Sequence, residues 1–395
     1  MAGPSAPIAQ TGTSPLATLG WGFYLAVSWT WVIGMILPAL MLRDFGWWGL
    51  AVFLAPNAIG AAAMGTVLRN GDAARRMRLV HDAAIRRFSM VTIAFHLYVL
   101  GAIGLAVEGF HTIPGQLGVL AFGAIAAVAL LALRRWLLTA LLVWVASVGL
   151  GVAYAISAET GWAIDWSATS SGPSRDLLML APVVVFGFAL CPYLDATFLR
   201  ARAATSPAAG KVAFAFGFLG PFVVMIAFTA LYAGAIVSGH ATSWVLVLVH
   251  MALQAGFTLA VHLREAKLSI AERGLTLGLT IAAMAGALAL PVGPIAWADG
   301  MLAWEVIYRL FMSAYGLFFP AYVLYAMMPT ALSMGPMTRG ARAVTTITMA
   351  AVLPMYALGF IAREEQWLPL AFGLVLAGAF VTFIMRRRAA ERSDG

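Results

Sequence analysis

Residues 212–238, VAFAFGFLGPFVVMIAFTALYAGAIVS, run for 27 positions without a charged side chain. Runs of this kind recur along the chain. Each is close to the ~20 residues an α-helix needs to cross ~30 Å of hydrocarbon. A window of about 19 residues places twelve of them, near 18–43, 46–68, 89–109, 116–134, 136–157, 177–200, 212–238, 243–262, 274–292, 302–328, 343–362 and 367–385. They are continuously apolar, whereas a membrane barrel strand alternates over roughly ten residues. The expected fold class is an all-α polytopic membrane protein of about 12 transmembrane helices.

Charge tests that count. Only 10% of residues are charged and the net charge is +8, against ~25% charged in a soluble domain. With the N-terminus on the cytoplasmic side, 20 of the 24 basic residues fall on cytoplasmic loops and the tail, only Arg43, Arg175 and Arg363 lie outside, and Arg309 lies within the tenth span. This is the positive-inside bias, so the excess charge orients the chain in a bilayer and does not mark a nucleic-acid surface. The expected setting is a plasma membrane or bacterial inner membrane, with both termini cytoplasmic. Residues 1–17 read as a disordered tail without a basic signal region, and 386–395 as a basic cytoplasmic tail. The loop at 69–88, with RRMRLVHDAAIRRF, reads either as a surface amphipathic helix or as a solvated loop. A lone cysteine, Cys191, excludes a disulfide framework. Trp47, Trp48, Trp136, Trp162, Trp166, Trp244, Trp297, Trp304 and Trp367 cluster at span ends as an aromatic belt. No HExxH, Walker or nucleophile–base pattern points to an enzyme.

Two spans carry helix-breaking residues at matching places. WTWVIGMILPALMLRD in the first and VVFGFALCPYLDATFLR in the sixth hold Pro38 and Pro192, which are 154 residues apart. Ser89 and Ser243, and His96 and His250, keep the same offset in the third and eighth spans. Partners five helices apart are inserted upside down relative to each other. Recurrent breaks of this kind mark binding sites in transporters, because a broken helix frees backbone groups that need partners. The carbonyls of Gly34, Met35, Leu37, Phe188, Leu190 and Cys191 are thereby candidate ligands for a solute or ion. Asp195, an acid inside a span, defaults to function: a coupling-ion site, a proton carrier or a partner for a cationic solute, with pairing to Arg200 as the structural alternative. His250, Gln254, Thr258 and His262 share one face of the eighth span at intervals of four. His96 and Thr92 form a shorter polar stripe on the third. Both stripes also read as helix–helix hydrogen-bond seams. Asn57 is a buried amide that requires a partner.

The 5+5 inverted repeat, with discontinuous first and sixth helices and two helices appended, resembles the leucine-transporter fold of the amino acid–polyamine–organocation superfamily. The resemblance covers about residues 18–328 and selects no subfamily: sodium:solute symporters, amino-acid permeases and nucleobase–cation symporters stay open. It implies repeats at 18–157 and 177–328 with helices 11–12 at 343–385. It implies a Na+ site using Ile33, Ile36 and Thr258, although the paired hydroxyls usual there give way to Gln254 and His250, which opens a proton-coupled variant. It also implies an outer gate, Arg43–Glu305 or Asp44–Arg309; the alternative is a local Glu305–Arg309 pair. The expected function is secondary active transport of a small solute coupled to Na+ or H+, with no other cofactor. The rivals are a transporter-fold sensor or accessory subunit, and a haem protein ligated by His96 and His250, which an absorption spectrum would reveal.

Overall fold

The computed structural model describes residues 13–106, 135–157, 173–238, 244–291, 293–332, 334 and 337–391, with 123, 126, 127, 129–131 and 133 between them. Most of the span expected at 116–134, residues 1–12 of the expected tail and the loop at 158–172, with Trp162 and Trp166, lie outside the described residues. The chain is all-α. Among the described residues, nine helical runs are long and apolar enough to cross a membrane.

Helix starts follow local chemistry. A hydroxyl, carboxylate or amide oxygen at the N-cap satisfies a backbone N–H that has no intrahelical acceptor. Ser14 caps α1 (Pro15–Trp29), Asn70 caps α3 (Gly71–Val80) and Ser174 caps α6 (Arg175–Leu190). Ser206 caps α8 (Pro207–Leu219), and Ser269 with Glu272 forms a reciprocal capping box on α12 (Ile270–Ala289). Between these lie α2 (Val32–Val67), α4 (Asp82–Ala106), α5 (Trp136–Ser157), α7 (Ala196–Ala204), α9 (Pro221–Leu231), α10 (Ala233–Ser238) and α11 (Trp244–Ala266). Helix α13 begins at Ala303 and runs to Ala331 through π turns at Ala314–Phe318 and Val323–Met327. Helices α14 (Arg339–Tyr356) and α15 (Leu368–Glu391) complete the chain.

Several boundaries differ from the sequence reading, each for a local reason. The first helix starts at Pro15, inside the expected tail, because Ser14 caps it and proline suits its first position. A straight 36-residue α2 would be ~54 Å long. Gly46, at φ 59 and ψ −149, turns the chain between the expected first and second spans. The expected seventh span divides at Gly220, since Pro221 has no N–H to continue the ladder. The 69–88 segment holds helix α3 and the first turns of α4, and α3 is clamped: Arg75 donates to the Ala203 carbonyl (3.1 Å) and Arg78 to that of Glu265. The expected tail at 386 is still helix to Glu391, and Arg386 donates to the Tyr325 carbonyl (3.1 Å).

Packing places the interrupted helices at the centre. Helix α1 lies against α5 and α8, α2 against α6, α8 and α9, and α11 against α4 and α5. The α1–α8 crossing is close because it is made by glycine: a Cβ on Gly217 would stand 2.5 Å from the Gly22 carbonyl. Small residues at such crossings let backbones approach within a bilayer, where lipid offers no hydrophobic drive for association. Helices α14 and α15 pair with each other at the periphery.

Candidate functional site

The first interruption lies at Thr30–Trp31, where φ/ψ are −74/65 and −74/176. It is not at Gly34–Pro38, which stays helical. Local side chains bond back to carbonyls of the preceding turn. Ser28 donates to the Leu25 carbonyl (3.2 Å), Thr30 to that of Ala26 (2.8 Å), and the Trp31 indole to that of Ser28. On the far side, His96 Nδ1 donates to the Thr92 carbonyl (2.7 Å), so Nε2 is the acceptor for the first N–H of α2, that of Val32 (3.4 Å). A histidine 64 residues away thus helps cap α2. Both its ring nitrogens are occupied, which leaves neither for a haem iron.

Pro38 lies within α2 without breaking it. Its missing N–H would have bonded the Gly34 carbonyl. Thr229 Oγ1 on α9 donates to that oxygen at 2.8 Å, and Tyr232 OH donates to the Met35 carbonyl at 2.9 Å. Gly34, Met35 and Leu37 are therefore buried helix, and the Gly34 and Met35 carbonyls are already engaged by protein. Ile33 and Ile36 lie in the same regular turn, so the expected sodium cradle of freed carbonyls with Thr258 is not formed there. Thr229→Val keeps the shape and removes the donor. It is expected to cost about 1–3 kcal/mol, the penalty for an unpaired buried carbonyl, read as a lower midpoint of thermal unfolding in detergent.

The second interruption follows α6. Cys191–Leu194 forms one 3-10 turn and Asp195 is extended, at φ −76 and ψ 117. Phe188 and Leu190 are still in α6, so the break lies just after the stretch expected. Cys191 Sγ donates to the Tyr315 carbonyl at 3.2 Å. That carbonyl is free because it lies in a π turn and the residue five positions on is Pro320, which has no N–H. Asp195 is the N-cap of α7: Oδ1 accepts from Thr197 N and from Thr197 Oγ1, both at 2.7 Å. Arg200, the alternative partner, does not pair with it. Thr30 and Cys191 are 161 residues apart, so the 154-residue offset of the two prolines does not register the two breaks.

The breaks meet. Thr197 Oγ1 stands 3.2 Å from Ser28 Oγ, and the Trp29 and Phe198 rings are 4.9 Å apart. Trp31 fills the crossing, with the rings of Trp29, Phe88, His96, His262 and Tyr315 at 4.4–6.1 Å. Asp195 is fully buried there. Its Oδ2 has no hydrogen-bond partner, and His262 Nε2 faces it at 3.9 Å.

The α11 stripe is wholly buried: His250, Gln254, Thr258 and His262 are each 0% exposed. Gln254 donates to Ser147 Oγ (2.8 Å), and His262 Nδ1 meets Ser89 Oγ (3.0 Å). The His250 ring packs on Phe228 (4.6 Å between centroids), and neither of its nitrogens has a partner. Among the described residues, nine buried side-chain N or O atoms lack a hydrogen-bond partner, and six belong to Asp195 and this stripe. The groups left over at the crossing are side-chain atoms, where the sequence had pointed to main-chain ones.

At one end of the bundle the charged residues interlock. Arg43 grips Glu305 with both Nη atoms (2.7 Å each) and Asp44 through Nε (2.7 Å). Arg309 Nη2 reaches Asp44 Oδ2 (3.2 Å) and Glu305 Oε1 (3.0 Å). Arg43–Glu305 and Asp44–Arg309 thus coexist with the local Glu305–Arg309 pair. Arg363, from the turn before α15, adds contacts to Asp44 (3.5 Å) and Asp299 (3.3 Å). At the other end a cavity of about 390 Å³ is lined by Trp21, Tyr24, Arg135, Arg200, Arg264 and Glu265, among others.

No protein-family model matches the chain, and no curated protein matches it. Among solved structures it is similar to the Eremococcus coleocola manganese transporter, crystallised in complex with an aromatic bis-isothiourea substituted compound. The TM-score is 0.58 at 12% identity, covering 98% of this chain and 99% of that one. The two chains share a fold. The likeness runs end to end, so it takes in the helices on both sides of the two breaks. At this identity it speaks for architecture alone.

Proposed function

We propose that this protein is a secondary active transporter that moves a small solute across a membrane by alternating access, coupled to Na+ or H+. One observation carries the reading: two interrupted helices meet at a fully buried carboxylate, Asp195, whose second oxygen no protein group engages. An uncompensated charge in such a place costs several kcal/mol, so a chain keeps it where an ion or solute completes it. The two ends of the bundle differ as one state of an alternating cycle requires. The Arg43 end, outside by the positive-inside rule, is held by crossed ion pairs, and the Arg200 end opens to a cavity. In this reading Arg43, Asp44, Glu305 and Arg309 are the outer gate.

The manganese of the similar structure is not carried over. Divalent cations need several converging hard or imidazole donors. Among the described residues no group of three or more His, Cys, Asp or Glu side chains comes together. The Asp195 site, ringed by Trp31 and Tyr315, suits a monovalent cation, a proton or a solute with a positive group.

The test starts with a thermal-shift screen of amino acids, nucleobases, sugars and cations, with and without Na+. Proteoliposome uptake of each hit follows under imposed Na+ or pH gradients. Gradient-dependent accumulation of one hit is expected. Stabilising ligands that no gradient accumulates would leave the sensor or accessory reading in its place.

A further inference from the structure

We propose that the ion bound at this site is a proton, held between Asp195 Oδ2 and His262 Nε2 and reached along the polar face of α11. The proposal takes its physiological meaning from the transport reading, but its chemistry stands on the pair itself.

Among the described residues, His262 alone stands within ion-pairing distance of Asp195. Tyr24 on α1, Arg78 on α3, His96 on α4, Cys191 in the 3-10 turn and Tyr315 on α13 are within electrostatic reach of the pair without bonding to Asp195. Arg200 and Arg264, further toward the cavity, line it instead. A buried carboxylate without a cationic partner must take up a cation or a proton. A sodium ion is a hard cation and wants several oxygens. At Asp195 the oxygen left without a partner is Oδ2, and the group facing it is an imidazole nitrogen.

A proton fits that geometry. With Nδ1–H donating to Ser89 Oγ (3.0 Å), Nε2 presents a lone pair to the lone pairs of Oδ2 at 3.9 Å. Two lone pairs repel and hold the atoms apart. One added proton, carried on the Asp195 carboxyl, turns the contact into an O–H···N hydrogen bond to His262 Nε2, which closes to roughly 2.8 Å. The proton binds without any covalent bond between the partners, and its release restores the open pair.

The same α11 face supplies the route. Thr258 Oγ1, Gln254 Oε1 and both His250 nitrogens lie at successive turns above His262, and all lack a partner. From His250 to His262 the row extends ~18 Å along the helix. Buried polar atoms of this kind are satisfied by ordered water, and a file of water along them conducts protons and excludes larger ions.

The test is infrared difference spectroscopy of the whole purified protein in lipid, stepped between pH about 5 and about 8. A protonated-carboxyl band is expected that titrates in this range, vanishes in Asp195→Asn and is unchanged when Na+ replaces choline at fixed pH. In His262→Gln its midpoint should move by about one pH unit, a change in pair energy of roughly 1.4 kcal/mol. Because His262→Gln removes a buried ring, histidine-labelled NMR of the wild type gives an independent reading: the His262 ring and the Asp195 band should share one midpoint. Thr258→Val should slow deuterium exchange of the band at least about tenfold; unchanged exchange removes the α11 route. A carboxyl band absent at every pH, or one that Na+ abolishes, overturns the proton assignment. A titrating band in a protein that accumulates no solute removes the transport reading and keeps the proton site. Na+-driven accumulation with a silent carboxyl does the reverse.

Discussion

Asp195→Asn is expected to collapse solute accumulation to the level set by the solute gradient alone, with folding preserved. Moving one elementary charge through 100 mV supplies about 2.3 kcal/mol. At 1.4 kcal/mol per tenfold, one coupled ion sustains roughly 50-fold accumulation. Asparagine keeps the size of the side chain and keeps an oxygen for the N-cap bond to Thr197, so α7 should still start at Ala196. It cannot bind the coupling ion. The expected accumulation ratio in proteoliposomes therefore falls from tens to about one, while the unfolding midpoint changes little. Asp195→Ala provides the contrast: it also removes the cap, which costs about 1 kcal/mol, and should lower the midpoint. Accumulation that survives in Asp195→Asn would return the residue to a purely structural capping role.

Much of this site was legible before the fold was known, and the failures have a common cause. The apolar runs are a local signal, and they located the described spans, although α4 starts seven residues before its expected position and α15 runs six residues beyond its expected end. Asp195 stood out because an acid inside an apolar run is costly wherever it packs. The first break escaped because no glycine or proline marks it. Its signal is Ser28 and Thr30, hydroxyls that bond back to carbonyls three and four residues earlier and so compete with the helix. Pro38 pointed four to eight residues too far along, because its effect depends on Thr229, a donor 195 positions from Gly34 that engages the carbonyl Pro38 leaves without an N–H. His262 was readable as part of a stripe, but not as the partner of Asp195. His96 was readable as polar, but not as a cap for α2. Arg363 read as a loop cation, although it joins the Arg43 cluster. In each case the missing information is a contact between distant segments, which periodicity and spacing do not carry.

The second large effect is expected at the charged end, from Asp44→Asn. Among the described residues, Asp44 is the one carboxylate that touches all three arginines: Arg43 at 2.7 Å, Arg309 at 3.2 Å and Arg363 at 3.5 Å. Asparagine fits the same space but removes the charge that lets three guanidinium groups share one partly buried site. Glu305 then remains as the partner of Arg43 and Arg309. Removing one member of a buried ion cluster costs about 3–5 kcal/mol, and part of this is recovered here because the Arg43 side chain is 28% exposed. A residual bias of about 2 kcal/mol toward the open arrangement is roughly a 30-fold change in the population of that end. The native cysteine, Cys191, is buried, so a cysteine placed at buried Met41, just inside the cluster, reports opening through its reaction with a membrane-impermeant maleimide. Labelling should rise at least about tenfold in Asp44→Asn. Arg43→Gln and Glu305→Gln should each raise it less, and the double variant should be no worse than the harsher single one, because the two share one interaction. Labelling that stays at the wild-type rate in all of them would mean that these ion pairs hold the end of the bundle together in every state and do not gate it.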